Sequence, residues 1–343
     1  MPFRLSIVII AYKRKTYLLE AVKSALNQNY PRDSYEVVVV KAFHDEIIDS
    51  CLKDNGVVTV FSDTEFYGIS LAEALSVCTG DIICLLDDDD LFTPDKLSAI
   101  SEVYMSNPGL AVTVNSYDII NSLGEIIETV FGLSERKLQW DNGLMLWEYP
   151  SYDLDLMIMN LNMLFNSSRI SFSRSLLPSV MEISRSISFM VDILFVLLGI
   201  VRKKAIASLP QVLTHYRVHA ENISLTSNGM NLVEKLILSH TRILNDTEAL
   251  RIFFKSDQAR LSQYFFLWSS MEKLKLTMLS GSRKEVATSA LSFIKYVFRD
   301  YPFISAFRSR LFNRASILIS IAFVPFFLIY PAAARRARLV LPF

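Results

Sequence analysis

Four consecutive aspartates, Asp87-Asp88-Asp89-Asp90, follow a short apolar run, Ile82-Ile83-Cys84-Leu85-Leu86. Carboxylates this dense repel one another unless solvent or a cation screens them. Their all-oxygen chemistry suits Mg2+ or Mn2+, ions that take few protein ligands and leave room for substrate phosphates. A solvated acidic turn is the competing reading. The run before the block has the length and branching of a fully buried strand, which puts the carboxylates at its carboxyl end. Ligands bind there in open α/β sheets. A second carboxylate of interest is Asp192, the one charge in the 15 residues from Ile187 to Val201. We read this run as a core helix, too short to span a membrane. A carboxylate in it is costly unless it is hydrogen-bonded, paired or open to a cavity.

The elements that must position these groups are legible around them. Leu5 to Ile10 and Glu36 to Val40 read as buried strands, and Val57 to Phe61 as a third. Thr16 is placed to cap a helix through Leu26. Ser70-Leu71-Ala72-Glu73 has the capping-box pattern and predicts a helix from Ser70 to about Gly80. Thr93-Pro94 reads as an N-cap followed by proline at the first helical position, with the helix running to about Met105. Leu110 to Asn115 and Ile126 to Val130 read as a strand pair, and Val212 to Tyr216 as a strand before His219. Alternating strands and helices over residues 1–105 predict a mostly parallel α/β sheet. Glycine-rich dinucleotide and P-loop motifs are absent.

Composition sets the outer bounds. The 343 residues are 51% hydrophobic and 20% charged, greasier than an ordinary soluble domain. Net charge is zero, yet residues 1–100 hold 9 Lys/Arg against 16 Asp/Glu, while residues 301–343 hold six Arg and no acid. A neutral whole with a basic end argues against nucleic acid and for a local anionic surface. From about residue 231 the pattern is helical. Residues 315–334 are 20 uncharged residues flanked by arginines, long enough to cross a bilayer or to lie in its interface. The cysteines, Cys51, Cys78 and Cys84, lack metal-site spacing and read as reduced packing residues.

Several segments, in their order and spacing, resemble family 2 glycosyltransferases. Ser6-Ile7-Val8-Ile9-Ile10-Ala11-Tyr12-Lys13-Arg14 is similar to that family's first strand and loop. Ala25-Leu26-Asn27-Gln28 is similar to the end of its first helix. Thr79-Gly80-Asp81 through Asp90 resembles the segment with its D-x-D motif, and Tyr216-Arg217-Val218-His219-Ala220-Glu221-Asn222-Ile223-Ser224 the segment closing its catalytic domain. The resemblance covers about residues 4–225. It implies a GT-A fold, a Rossmann-like mixed sheet flanked by helices, over residues 1–228, ahead of a helical region, 229–343.

The same resemblance implies a nucleotide-sugar donor, UDP- or GDP-linked, and inversion at the anomeric carbon. It assigns Asp89 to a Mn2+ or Mg2+ ion, with Asp87, Asp90 and His219 as further ligands. Ala11, Tyr12, Asp87 and Asp88 fall to the donor. Asp45 or Asp63 stands in for an aspartate the family carries after its second strand. Asp192 matches the catalytic base, with Val191 where the family usually has glutamate; Asp153, Asp155 and Glu182 are alternatives. Asn166-Ser167-Ser168 occupies a loop where the family often has glycines. A hydroxyl is a poor nucleophile, so a carboxylate must take its proton from the face opposite the leaving group. The expected protein is a metal-dependent transferase on the cytoplasmic side of the membrane, acting on a membrane- or lipid-linked glycan. The rivals are a polyprenyl-phosphate glycosyltransferase and a non-catalytic nucleotide-sugar-binding subunit.

Overall fold

A computed structural model describes residues 3–127, 145–147, 166–219, 232–255 and 259–299. The chain divides into two compact units, Met1–Tyr152 with Asn162–His219, and Asp153–Leu161 with Ala220–Phe343.

The first unit is built on a mixed sheet. Three β-branched strands, β1 (Leu5–Ala11), β2 (Tyr35–Lys41) and β4 (Ile82–Asp87), are buried almost throughout, as continuous apolar runs must be when both faces are covered. β1 pairs in parallel with β2 and with β4, and β2 with β3 (Val58–Phe61), whose side chains are largely exposed. The register sets Ile10 beside Asp87 and Ala11 beside Lys41, so the carboxyl ends of three strands form one edge. Helices α1 (Leu18–Leu26), α2 (Glu46–Asp54), α3 (Tyr67–Val77) and α4 (Lys96–Ser106) connect the strands. Leu18, Val22, Leu52, Leu97 and Ile100 enter one core cluster with Ile7, Val37 and Cys84.

Beyond β4 the sheet changes direction. The full order is β3-β2-β1-β4-β8-β6-β9-β5, with β7 (Met145–Trp147) on β9. β8 (Ile170–Ser173) runs antiparallel to β4 and to β6 (Leu110–Ile120). β9 (Ala205–Arg217) runs parallel to β6 and antiparallel to β5 (Leu91–Phe92). Two consequences follow for position. The residues entering β8 arrive at the carboxyl end of β4, and those leaving β9 arrive beside the turn between β4 and β5. Helices α5 (Leu177–Ile183) and α6 (Val191–Val201) fill the stretch between β8 and β9, and α6 is buried from Ile193 to Ile200.

Several element boundaries differ from expectation. α3 starts at Tyr67, three residues before the apparent capping box, and Ser70 is a buried helical residue facing Ser62. α1 and α4 begin after Tyr17 and Asp95 without a side-chain cap, so neither Thr16 nor Thr93 caps them. β6 is one long strand that bridges at Ile120 to Ile126; residues 128–130 of the expected partner strand lie outside the described residues. β9 is longer than the 212–216 run because it continues through Pro210 as an irregularity in its pairing with β6.

In the second unit, α7 (Leu232–Phe253), α8 (Ala259–Ser280) and α9 (Arg283–Arg299) pack in succession. Leu250, Phe254, Leu261, Phe265, Leu274, Val286 and Phe293 form the buried interior. The buried Glu272 carboxylate is held by His240 at 2.6 Å and Lys275 at 2.9 Å, which is how a charge survives between helices. Among the described residues, no helix is long and apolar enough to cross a membrane. The uncharged stretch 315–334 lies outside them.

Candidate functional site

The four aspartates are divided among different partners. Asp87 ends β4, and its Oδ1 accepts from the Ser167 hydroxyl at 2.5 Å and the Tyr67 hydroxyl at 3.2 Å. Asp88 is ion-paired with Arg14, whose guanidinium also reaches Asp89 at 2.7 Å. Asp89 shares its Oδ2 with His219 Nε2 at 3.0 Å. Asp90 is fully buried, and three donors converge on it: the Arg217 N–H at 2.8 Å, the Asn166 amide at 2.6 Å and the Ser168 hydroxyl at 2.6 Å. Burial first, and then the Asp89 charge, push the Asp87 and Asp90 carboxyls above the usual carboxylate range. Burial pushes Asp88 up as well, against the pull of Arg14.

Asp192 sits in the first turn of α6. Its Oδ2 accepts the Asn166 N–H at 3.1 Å and its Oδ1 the Ile193 N–H at 2.9 Å. Burial raises its pKa to about 7, against those two N–H groups, with Asp87 adding to the rise. Asn166 therefore joins the two carboxylate groups: its backbone holds Asp192 and its side chain holds Asp90. Topology explains the meeting. β8 is antiparallel to β4, so residues 166–169 before it must lie against Asp87–Asp90, and Asn166 adopts a left-handed φ of 76° there.

The frame under these groups is made of buried cations. Arg217 is fully buried; it donates to the Asp89 carbonyl at 2.8 Å, pairs with Glu20 at 2.7 Å and lies 4.5 Å over the Tyr17 ring. Tyr17 also packs on His219, with ring centroids 4.7 Å apart. Lys96, fully buried in α4, donates to Asn115 Oδ1, to the Ser168 carbonyl at 3.1 Å and to Thr214 Oγ1 at 3.5 Å. Burial lowers its pKa to about 7. The unfolded chain binds this proton up to about pH 10, so the Lys96 contribution to stability should rise from pH 7 to 10. A Lys96→Met protein is expected to lack that rise, seen as a stability difference from wild type changing by roughly 1.4 kcal/mol per pH unit across that window in chemical denaturation.

The remaining expected residues have different surroundings. Ala11 is buried at the end of β1, where its carbonyl accepts the Ala42 N–H at 3.3 Å, and the Lys13 ammonium lies 4.8 Å over the adjoining Tyr12 ring. Asp45 caps α2 through the Ile48 N–H at 3.2 Å and pairs with Lys15 at 2.9 Å. Asp63 is exposed two residues after β3, whose last residue, Phe61, pairs beside Lys41 at the end of β2. Glu182 is exposed on α5; Asp153 and Asp155 lie outside the described residues. Arg14, Tyr67, Ser167, Ser168 and Arg217 are site residues that their own types do not announce. Arg14, Ser167, Ser168 and Arg217 lie within segments that drew attention, but none was given a role; Tyr67 lies outside them.

The carboxylates suit a divalent cation by their chemistry. Asp88 and Asp89 face Arg14 and His219, while burial first and the Asp89 charge second push the Asp87 and Asp90 carboxyls up. Among the described residues no group of three or more His, Cys, Asp or Glu is arranged to hold a metal.

Comparison with known proteins agrees with this geometry. Residues 6–168 match the model of glycosyl transferase family 2. An uncharacterized glycosyltransferase of Rickettsia conorii is 29% identical over 133 residues, 37% of this chain and 21% of the relative. The glucosyl-dolichyl phosphate glucuronosyltransferase of Haloferax volcanii is 30% identical over 112 residues, 31% of this chain and 35% of the relative. The chain thus spans well under half the length of these relatives. Among solved structures, S. aureus TarS superposes with a TM-score of 0.55 at 16% identity, covering 94% of this chain and 55% of that one. TarS residues 1-349 in complex with UDP-GlcNAc superpose with 0.52 at 14% identity, covering 88% and 93%. Residues 6–168 are thus similar to family 2 glycosyltransferase domains, the first unit has a GT-A-like fold, and the domain match and the relatives' names support a transferase.

Proposed function

We propose that the protein is an inverting glycosyltransferase that moves a sugar from a nucleoside-diphosphate sugar to a hydroxyl of a membrane- or lipid-linked glycan, at the cytoplasmic face of a membrane. One observation carries the reading: an aspartate block at the carboxyl edge of the sheet is joined through Asn166 to a second carboxylate, Asp192, whose pKa lies near 7. A displacement with inversion needs two such groups, one beside the leaving diphosphate and one beside the attacking hydroxyl. The UDP-GlcNAc complex of a protein with a similar fold supports a nucleotide-sugar donor. The lipid-linked sugar in the Haloferax relative's name, and the arginine-flanked stretch 315–334, support a lipid-linked acceptor.

In this reading Asp192 accepts the proton of the attacking hydroxyl, and its two N–H bonds hold the carboxylate in one orientation. Arg14 and His219 offset charge on Asp88 and Asp89 beside the departing diphosphate. Asp87 and Asp89 would hold Mn2+ or Mg2+, which when bound supplies Lewis-acid stabilisation of the leaving group. Ala11 and Tyr12, at the end of β1, lie toward the nucleoside. The basic, apolar tail would keep the site near its acceptor.

Incubating the full-length protein in detergent with UDP- and GDP-sugars tests the proposal. One donor is expected to release its nucleoside diphosphate with Mn2+ or Mg2+ and to stop when EDTA is added. Asp89→Asn should lower that release at least tenfold. Binding without release would indicate a non-catalytic subunit, and an Asp192→Asn protein with unchanged rate would indicate a phosphate acceptor that needs no base.

A further inference from the structure

Asn166 is more elaborately held than a loop residue needs to be. It is a non-glycine residue with φ of 76°, a conformation that costs of order 1 kcal/mol and persists where surrounding contacts fix it. It is nine-tenths buried, with 9% exposure. Its N–H is bound to Asp192 Oδ2 at 3.1 Å and its Nδ2 to Asp90 Oδ2 at 2.6 Å. The second bond fixes the amide: turning it over would press the carbonyl oxygen against a carboxylate. Oδ1 must therefore face away from Asp90, and there it is buried with no hydrogen-bond partner among the described residues. An orphaned buried acceptor costs about 1–3 kcal/mol, so a native structure that keeps one calls for an explanation, such as a water, an ion or a ligand that completes it.

A hydrogen-bond donor completes such an oxygen, and so does a hard cation. Resting on the function proposed above, the order of groups along the reaction says which. The leaving diphosphate belongs beside Asp87–Asp89 and the attacking hydroxyl beside Asp192. The ring being transferred lies between them, and Asn166, bonded to Asp192 on one side and to Asp90 at the end of the aspartate block on the other, lies at that junction. We propose that Asn166 Oδ1 accepts a hydrogen bond from a ring hydroxyl of the transferred sugar, making Asn166 a determinant of donor-sugar specificity.

Asn166→Gly separates this role from support of the backbone, because glycine adopts the same φ and keeps the N–H to Asp192. The full-length protein is titrated calorimetrically, with Mn2+, against UDP, GDP, UDP-glucose, UDP-GlcNAc and GDP-mannose. In the wild type one nucleotide sugar is expected to bind more tightly than its parent diphosphate. In Asn166→Gly that advantage should fall by about tenfold while diphosphate binding stays within about twofold, the size of one hydrogen bond. Wild-type protein titrated with singly deoxyfluorinated forms of that donor gives the same readout without a mutation: one ring position should lose about tenfold, since fluorine cannot donate. Equal loss for sugar and diphosphate, an unchanged advantage, or indifference to every ring position overturns the inference and leaves the proposed function standing. No nucleotide-sugar binding by wild type overturns both.

Discussion

Asp192→Asn is expected to abolish transfer almost completely while leaving a better-folded protein. The side chain keeps its shape and one acceptor oxygen, enough for one of the two N–H groups, Asn166 and Ile193, that the carboxylate holds. What disappears is the ability to take a proton, worth about 10²–10⁴-fold when the nucleophile is a hydroxyl. Donor binding should be unchanged, which separates this variant from one that disrupts the diphosphate site. In the wild type the carboxylate must be ionised to work, and burial places its pKa at about 7. Transfer should therefore fall with decreasing pH below about 7, by a factor approaching ten per unit, and level off above it. Stability runs the other way. The unfolded carboxyl ionises near pH 4, so between about pH 4 and 7 the unfolded state sheds a proton that the folded state keeps, and this residue's contribution declines as pH rises. At pH 8 the folded protein carries the full cost, and Asp192→Asn removes it, a gain of about 2 kcal/mol after allowing for the carboxylate's partial contact with solvent. Activity lost and melting temperature raised together mark a functional carboxylate; activity retained would remove Asp192 from the mechanism.

The parts of the fold that were legible in sequence are those where one physical signal dominates. Ile7, Val8 and Ile9, Val37 to Val40 and Ile83 to Leu86 read as strands because buried parallel strands are apolar on both faces. The placement of Asp87–Asp90 followed from the strand end alone. Helix starts were less legible because polar residues have other uses. Ser70 has the spacing of a cap, yet it is inside α3, facing Ser62. Asp45 follows the second strand where a nucleotide contact was expected, and it caps α2. Gly80 looked like a helix stop; its amide bonds Ser6 Oγ at 2.9 Å, and a Cβ there would lie 2.5 Å from the Ser6 nitrogen. The buried cations were least legible. Lys96, Arg169 and Arg217 are fully enclosed, although Lys and Arg are ordinarily solvated. Their hydrogen-bond partners come from 19 to 197 residues away in the chain, separations at which composition and periodicity carry no information.

Those long-range partners give Asp90 a role unlike that of its neighbours, and Asp90→Ala should expose it. Three donors from two distant segments meet on this one carboxyl: the amide of Asn166, the hydroxyl of Ser168 and the backbone N–H of Arg217. Removing it leaves them buried without that acceptor, at about 1–3 kcal/mol for each that finds no substitute. A loss of about 3–5 kcal/mol is expected, read as a lower denaturant midpoint with little change in slope. Transfer should fall too, because the Asn166 amide and the Ser168 hydroxyl are tied to the groups that hold Asp192 and Asp87. Asp89→Asn gives the contrast. Asp89 faces Arg14 and His219, so that substitution should lower metal-supported nucleotide release while changing stability by less than Asp90→Ala does. If both variants melt alike and differ only in activity, the division of the aspartate block into a frame and a working edge is wrong. If Asp90→Ala unfolds early while Asp89→Asn stays folded but inactive, a run of identical residues is doing two separate jobs, one in folding and one in chemistry.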